Sequence, residues 1–183
     1  MPYAWRILAP GPYNPSMSHE EHRAASPARV RCAVITVSDT RTEATDASGR
    51  AIADLLTAAG HEVASRRIVP DEPARIREAL TSSLASADVD VVITTGGTGI
   101  SRRDGTAEVV CALFEKPIDG FGELFRMLSY HDIGPAAMLS RACAGLAAGK
   151  ILVALPGSEP AVRLALATLL LPEIGHMVRE ARR

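Results

Sequence analysis

Aromatic residues are scarce in this chain: three Phe, three Tyr and one Trp make up 4% of 183 residues. A domain of this length hides roughly 70% of its unfolded surface, so its core must be aliphatic. Cysteine is scarcer still. Cys32, Cys111 and Cys143 lie far apart in sequence, none forms a C-x-x-C pair, and an odd number closes no disulfide set. The expectation is a reduced protein with small buried thiols. Charge of one sign is also missing, because 20 Lys and Arg against 21 Asp and Glu leave a formal net charge of −1. Without a basic field, neither nucleic acid nor an anionic membrane is an expected partner. No long hydrophobic run occurs. The most apolar stretch, Leu164 to Leu171, is far shorter than the ~20 residues that span a bilayer. Tyr3 to Ala9 is cut by Arg6 and followed by prolines, which does not make a secretory core. A soluble, cytoplasmic protein is expected.

What the chain does have is unevenly distributed. Residues 1–28 hold five of the twelve prolines and no sustained periodicity. Such a segment buries too little surface to offset its ordering entropy, so a mostly mobile tail is expected. Met17 inside it is a candidate alternative start. His19-Glu20-Glu21-His22 is H-x-x-H rather than H-E-x-x-H, so no metal is expected there. Residues 29–183 read as a single domain.

From Arg29 onward, strand-like runs alternate with helical spacing. Cys32 to Val37 is a continuous apolar run, as in a strand covered on both faces. Ile52, Leu55, Leu56 and Ala59 follow helical spacing, with Gly60 as the stop. Glu62 to Val69 reads as a second strand, and Ile76, Leu80 and Leu84 mark a helix after Pro73. Val89 to Thr95 is a β-branched strand. A helix over about Thr106 to Phe114, a last strand over Ile151 to Leu155, and a closing helix over about Ser158 to Arg179 complete the pattern, with Pro172 as a kink. This alternation predicts a three-layer α/β/α sandwich around a mainly parallel sheet.

Four polar clusters follow those strands directly. They are Ser38-Asp39 with Asp46 to Gly49, then Pro70-Asp71-Glu72, then Thr94 to Gly99 with Arg102-Arg103-Asp104, and finally Pro156-Gly157-Ser158. Carboxyl ends of parallel strands share one edge, where open α/β proteins bind their ligands. The glycines of Thr95-Gly96-Gly97-Thr98-Gly99 allow close backbone approach, and successive N–H groups can form an anion nest beside the helix starting near Thr106. It is neither a Walker A loop nor G-x-G-x-x-G. Asp104 reads as a helix N-cap or as a carboxylate sharing a Mg²⁺ ion with bound phosphate. Asp46 reads as a cap or a ligand, and Arg103 as a phosphate partner. No nucleophile elbow occurs. The body aromatics, Phe114, Phe121, Phe125 and Tyr130, cluster together, and Phe121, Leu124, Phe125 and Leu128 share one helical face. That face is expected at a subunit contact, with a local minicore as the alternative.

TVSD (Thr36 to Asp39), D-x-S-G (Asp46 to Gly49), IVPDE (Ile68 to Glu72), TTGGTG (Thr94 to Gly99) and RRD-x-T-x-E (Arg102 to Glu108) now stand together. With GFGELFRMLS (Gly120 to Ser129), LSRACAG (Leu139 to Gly145) and LPGS (Leu155 to Ser158), the span Arg31 to Leu171 resembles the molybdenum cofactor biosynthesis MoaB/Mog family, the MoaB branch above all. The resemblance implies adenylylation of molybdopterin by Mg-ATP, giving an AMP-capped pterin and pyrophosphate for a molybdate-inserting partner. It implies essential aspartates at Asp71 and Asp104, which would also hold Mg²⁺. Substrate and nucleotide would be bound by the glycine loop, Ser140-Arg141 and Pro156-Gly157-Ser158. It also implies a trimer or hexamer. Two positions depart from the pattern: Ala107 replaces a proline after Thr106, and Pro160 comes one residue late in P-G-S-E-P. A non-catalytic pterin-binding or carrier protein is the alternative. A dinucleotide-dependent oxidoreductase is disfavoured, since the first strand–helix turn lacks the glycine fingerprint.

Overall fold

The structure is a computed structural model and describes residues 26–183. Residues 1–25, with the H-x-x-H, Met17 and most of the expected tail, lie outside the described residues. Six strands, β1 (Arg31–Val37), β2 (Glu62–Val69), β3 (Val91–Thr95), β4 (Lys116–Pro117), β5 (Cys143–Ala147) and β6 (Lys150–Leu155), form one sheet. Their order is β2-β1-β3-β6-β5-β4. The first four are parallel, while β5 and β4 are antiparallel additions. The helices are α1 (Ala47–Ala58), α2 (Pro73–Ala85), α3 (Thr106–Cys111), α4 (Asp119–Ile133), α5 (Glu159–Ala165) and α6 (Leu171–Ala181).

Alternation along β1 explains the three layers. Cys32 and Val34 join one core with Ile52, Leu56, Phe125, Val162, Leu166 and Ile174. Ala33, Ile35 and Val37 join the other, with Ile76, Leu80, Val109 and Val110. Helices thus cover both faces, as a parallel sheet requires. The α/β sandwich read from the sequence is the fold observed.

One strand is unforeseen, and three expectations need correction. The segment after Ser140 is a strand, β5, joined to β6 by Ala148 and Gly149, both at positive φ. That two-residue turn matches the twist of a hairpin. Helix α3 ends at Cys111, three residues earlier than Phe114. Phe121 and Phe125 are not on a contact face. Their rings stack at 6.5 Å inside the first core, and the exposed stripe of α4 is instead Leu124, Met127, Tyr130 and Ile133. The thiols are not all buried or separate either, for Cys111 is exposed and its Sγ lies 3.5 Å from that of Cys143.

The closing helix runs from Glu159 to Ala181 without a break, and a π-turn over Leu166–Leu170 precedes Pro172. By length and composition alone it could cross a membrane. Its Val162, Leu166, Leu170, Ile174 and Val178 are instead packed in the core, which is what its apolarity serves.

The end of that helix is latched to the amino edge of the sheet. Asp90, whose side chain is 7% exposed, accepts from Arg31 at 3.0 Å and Arg182 at 2.7 Å. Burial alone would raise its pKa, but hydrogen bonds from the Arg31 side chain and backbone and from Arg182 overcome this and lower it to about 2. The resulting stability is fully present above the unfolded pKa near 3.8 and is lost as pH falls toward 2. Both arginines are partly solvated, so the pH-dependent share is about 1–2 kcal/mol. Denaturant titrations should show Asp90→Asn less stable by that amount at pH 6, with the gap closing near pH 2. A constant gap down to pH 2 would mean that packing, not charge, holds the latch.

Candidate functional site

Ser38, Asp71, the glycine loop and Pro156 each follow a parallel strand, and the fold brings all four segments to one edge. Their contact is close because glycine permits it. Gly96 has φ +100°, and a Cβ there would lie 2.3 Å from the Val37 carbonyl. Its N–H donates to the Leu155 carbonyl at 3.1 Å, while the Thr95 hydroxyl donates to that of Pro156 at 2.8 Å. The loops after β1, β3 and β6 are therefore sewn into one floor. Above it lies a cleft of ≈ 410 Å³, lined by Gly96 to Gly99, Asp104, Ser140, Pro156 to Ser158 and the α4 residues Phe125, Ser129 and Ile133.

Beneath the loop, carboxylates converge. A Cβ on Gly97, at φ +64°, would lie 2.2 Å from Thr106 Oγ1 and 3.0 Å from Asp71 Oδ1. A Cβ on Gly99 would be 2.7 Å from Asp104 Oδ2. Asp39 accepts from the Asp71 backbone N–H at 3.1 Å and is paired with Arg103. Burial pushes the Asp71 pKa up, and the neighbouring Asp104 and Asp39 push it further, against a Gly105 N–H bond and Arg103. Asp71 Oδ1 and Thr106 Oγ1 are buried with no hydrogen-bond partner. Crowded carboxylates with an orphaned oxygen are a donor set that suits a hard divalent cation. Among the described residues no three such side chains cage an ion by themselves, so any cation here would keep water or ligand oxygens in its shell.

Several candidate residues take other positions. Asp46 is fully buried, bonded to the Thr36 hydroxyl and the Gly49 N–H at 2.9 Å each, and caps α1. A Cβ on Gly49 would collide with that carboxylate, so Asp46 and Gly49 are a packed cap outside the cleft. The Ser38 hydroxyl accepts from the N–H groups of Thr40 and Arg41 at 3.2 Å, closing a turn. Asp104 is not the α3 cap, since Gly105 holds that position. Its Oδ2 instead accepts from the Ser101 N–H at 2.9 Å. The first N–H of α3 is spent on the Gly97 carbonyl, so the helix end facing the cleft is that of α5, entered at Ser158 without a side-chain cap bond.

Arg141 does not point into the cleft. Its guanidinium donates to the carbonyls of Thr98, Gly99 and Asp104 and pairs with Glu108. That bond and charge hold the Glu108 carboxyl below its usual range. Arg141 is thus a clamp on the loop, and Glu108 orients the clamp. Ser129, Ile133 and Glu108 were missed as site residues because helical spacing gives no sign of what they face.

The floor, the cleft and the free end of the long closing helix define an open α/β protein with a cleft at the carboxyl edge of its sheet. A family profile described as a probable molybdopterin binding domain matches residues 33–176, and the chain belongs to that family. It is 52% identical over 168 residues to molybdenum cofactor biosynthesis protein B of Bacillus cereus, covering 91% of this chain and 99% of that one. The Bacillus subtilis protein of the same name is 47% identical with the same coverage. A crystal structure of molybdenum cofactor biosynthesis protein B superimposes with TM-score 0.84 at 53% identity, over 86% of this chain and 99% of that one. The tungsten cofactor synthesizing protein MoaB of Pyrococcus furiosus gives 0.77 at 39% identity, over 86% and 100%. Residues 29–183 are only about 85% of the chain, so the likeness to the Bacillus proteins reaches into the segment expected as a tail.

Proposed function

We propose that this chain acts in molybdenum cofactor biosynthesis by adenylylating molybdopterin. A phosphate oxygen of the pterin attacks the α-phosphorus of ATP, the bond to the β-phosphate breaks, and pyrophosphate leaves. The observation that carries this reading is the convergence of Asp71 and Asp104 beneath a glycine loop that opens on a 410 Å³ cleft. The loop and the α5 N-terminus supply N–H groups to phosphate oxygens. Asp71 and Asp104 would hold the Mg²⁺ that accompanies ATP, and when bound that ion offsets phosphate charge. Ser140 and Ser158 offer hydroxyls at the rim, while Arg141 keeps the loop in shape. The reaction needs placement more than acid–base chemistry, and the product would pass in the cytoplasm to an enzyme that inserts molybdate.

One observation favours the second reading, a pterin carrier without catalysis. Among the described residues no Lys or Arg lines the cleft, because Arg103 is held by Asp39 and Arg141 by backbone carbonyls. Pyrophosphate release from ATP, measured with and without molybdopterin, separates the two. Pterin-dependent release supports adenylylation; saturable pterin binding with no release above blank supports the carrier.

Assembly into trimers or hexamers belongs to the same proposal. Leu124, Met127, Tyr130 and Ile133 expose an apolar stripe on α4, and such surface is costly to leave wet. Sedimentation of Leu124→Asp/Met127→Asp should give folded monomers. A wild-type oligomer in that variant would place the contact elsewhere.

A further inference from the structure

We propose that Cys111 and Cys143 form a reversible dithiol–disulfide site, closed by exchange with a low-molecular-weight disulfide. The two Sγ atoms stand 3.5 Å apart across 32 residues of sequence, within about 1.5 Å of a disulfide bond length. Cys111 is the last residue of α3 and Cys143 the first of β5, so each can yield at an element end rather than inside one. Both line a second cleft of ≈ 610 Å³ on the far side of Ser140, together with Arg126 and Arg141. Arg126, whose guanidinium donates to the Ser140 carbonyl at a long 3.5 Å, suits a small disulfide that carries carboxylates. Cys32, the remaining thiol, is fully buried in the first core and takes no part.

The two sulfurs have different environments, which sets the order of events. Cys111 is exposed and is the attacking thiol. Its thiolate displaces one thiolate from the small disulfide and forms a mixed disulfide. Cys143 then loses its proton to solvent, attacks the Cys111 sulfur and expels the second thiolate. Two protein thiols become one disulfide, and the small disulfide is reduced to two thiols. Burial, the largest cause, holds the Cys143 pKa above that of a free thiol, so this second step is the slower one. The bond would tie the end of α3 to the strand that begins two residues after Arg141. The clamp on Thr98, Gly99 and Asp104 would then be enclosed between cross-linked elements.

The full chain, incubated with oxidised glutathione, alkylated and analysed by intact and peptide mass spectrometry, tests this. The expected product has one alkylatable thiol, no retained glutathione and a Cys111–Cys143 cross-linked peptide, and it melts roughly 5 °C higher than the reduced protein. Cys143→Ser should retain one glutathione, on Cys111. Cys111→Ser, changed at an exposed position, should show neither cross-link nor melting shift. Three alkylatable thiols after oxidation, or glutathione held on Cys111 of the wild type with Cys143 still alkylatable, would overturn the proposal.

Discussion

Replacing Asp71 with asparagine should raise the melting temperature of the ligand-free protein while cutting pterin-dependent pyrophosphate release at least ~100-fold. The two effects have one cause. Burial and the carboxylates of Asp104 and Asp39 make the charged form of Asp71 costly. A carboxyl whose pKa is raised on folding costs stability as pH rises through that value, and asparagine removes this cost. The same charge is what a phosphate-bound cation would need. Melting curves beside turnover at pH 7.5 check both halves. A stabilised variant with normal turnover would take Asp71 out of the reaction. A destabilised one would show that its carboxylate is structural. Asp104→Asn should lose turnover too while keeping the Ser101 turn, because its oxygen accepts from the Ser101 N–H and asparagine can do the same.

Gly96→Ala should be the most damaging single change in the glycine loop. The residue sits at φ +100°, and its Cβ would meet the Val37 carbonyl at 2.3 Å, a backbone atom that cannot swing aside. Left-handed strain alone costs about 1–3 kcal/mol, and the collision adds to it, so a loss of roughly 3 kcal/mol or more is expected. Ligand binding should fall as well, since the Gly96 N–H is fixed to Leu155 and any shift reopens the floor between β1, β3 and β6. Denaturant titration and ligand binding by calorimetry check the two losses. Gly60→Ala is the control. Gly60 has φ +85° but nothing within 4 Å of a Cβ, so it should suffer the strain without the collision.

Elements that bury β-branched runs were plain in the sequence. Val91-Val92-Ile93 and the apolar run after Arg31 state their own burial, and the polar clusters behind them state the edge that carries the cleft. Strand β5 was hidden because Cys143-Ala144-Gly145-Leu146-Ala147 has small residues of low β-propensity. Its place is set by the hairpin to β6 and by Phe114 ring atoms 2.6 Å from where a Gly145 Cβ would stand. Gly149, just before a buried strand, was the one available signal. In the site, the positions of Asp71 and Asp104 were legible but their partners were not. That Asp104 serves the Ser101 turn, that Asp46 faces inward and that Arg141 clamps a loop 40 residues earlier depend on tertiary packing. Phe121 and Phe125 were visible as a sticky face, but helical spacing cannot say whether a sticky face meets its own core or a neighbour.

The π-turn in the closing helix settles a problem of phase. Five of its buried residues, Val162, Leu166, Leu170, Ile174 and Val178, recur every fourth position. A regular α-helix turns about 400° in four residues, so each step would rotate the apolar line by about 40°. Over the four steps from Val162 to Val178 the line would wander nearly halfway round the rod. The wider turn at Leu166–Leu170 unwinds part of that rotation midway. One rod can therefore present its first turn to the cleft and its last to Asp90 without turning its oily side to water. Deleting a single residue between Leu166 and Leu170 would spare every side chain that lines the cleft, yet swing one half of the rod against the other.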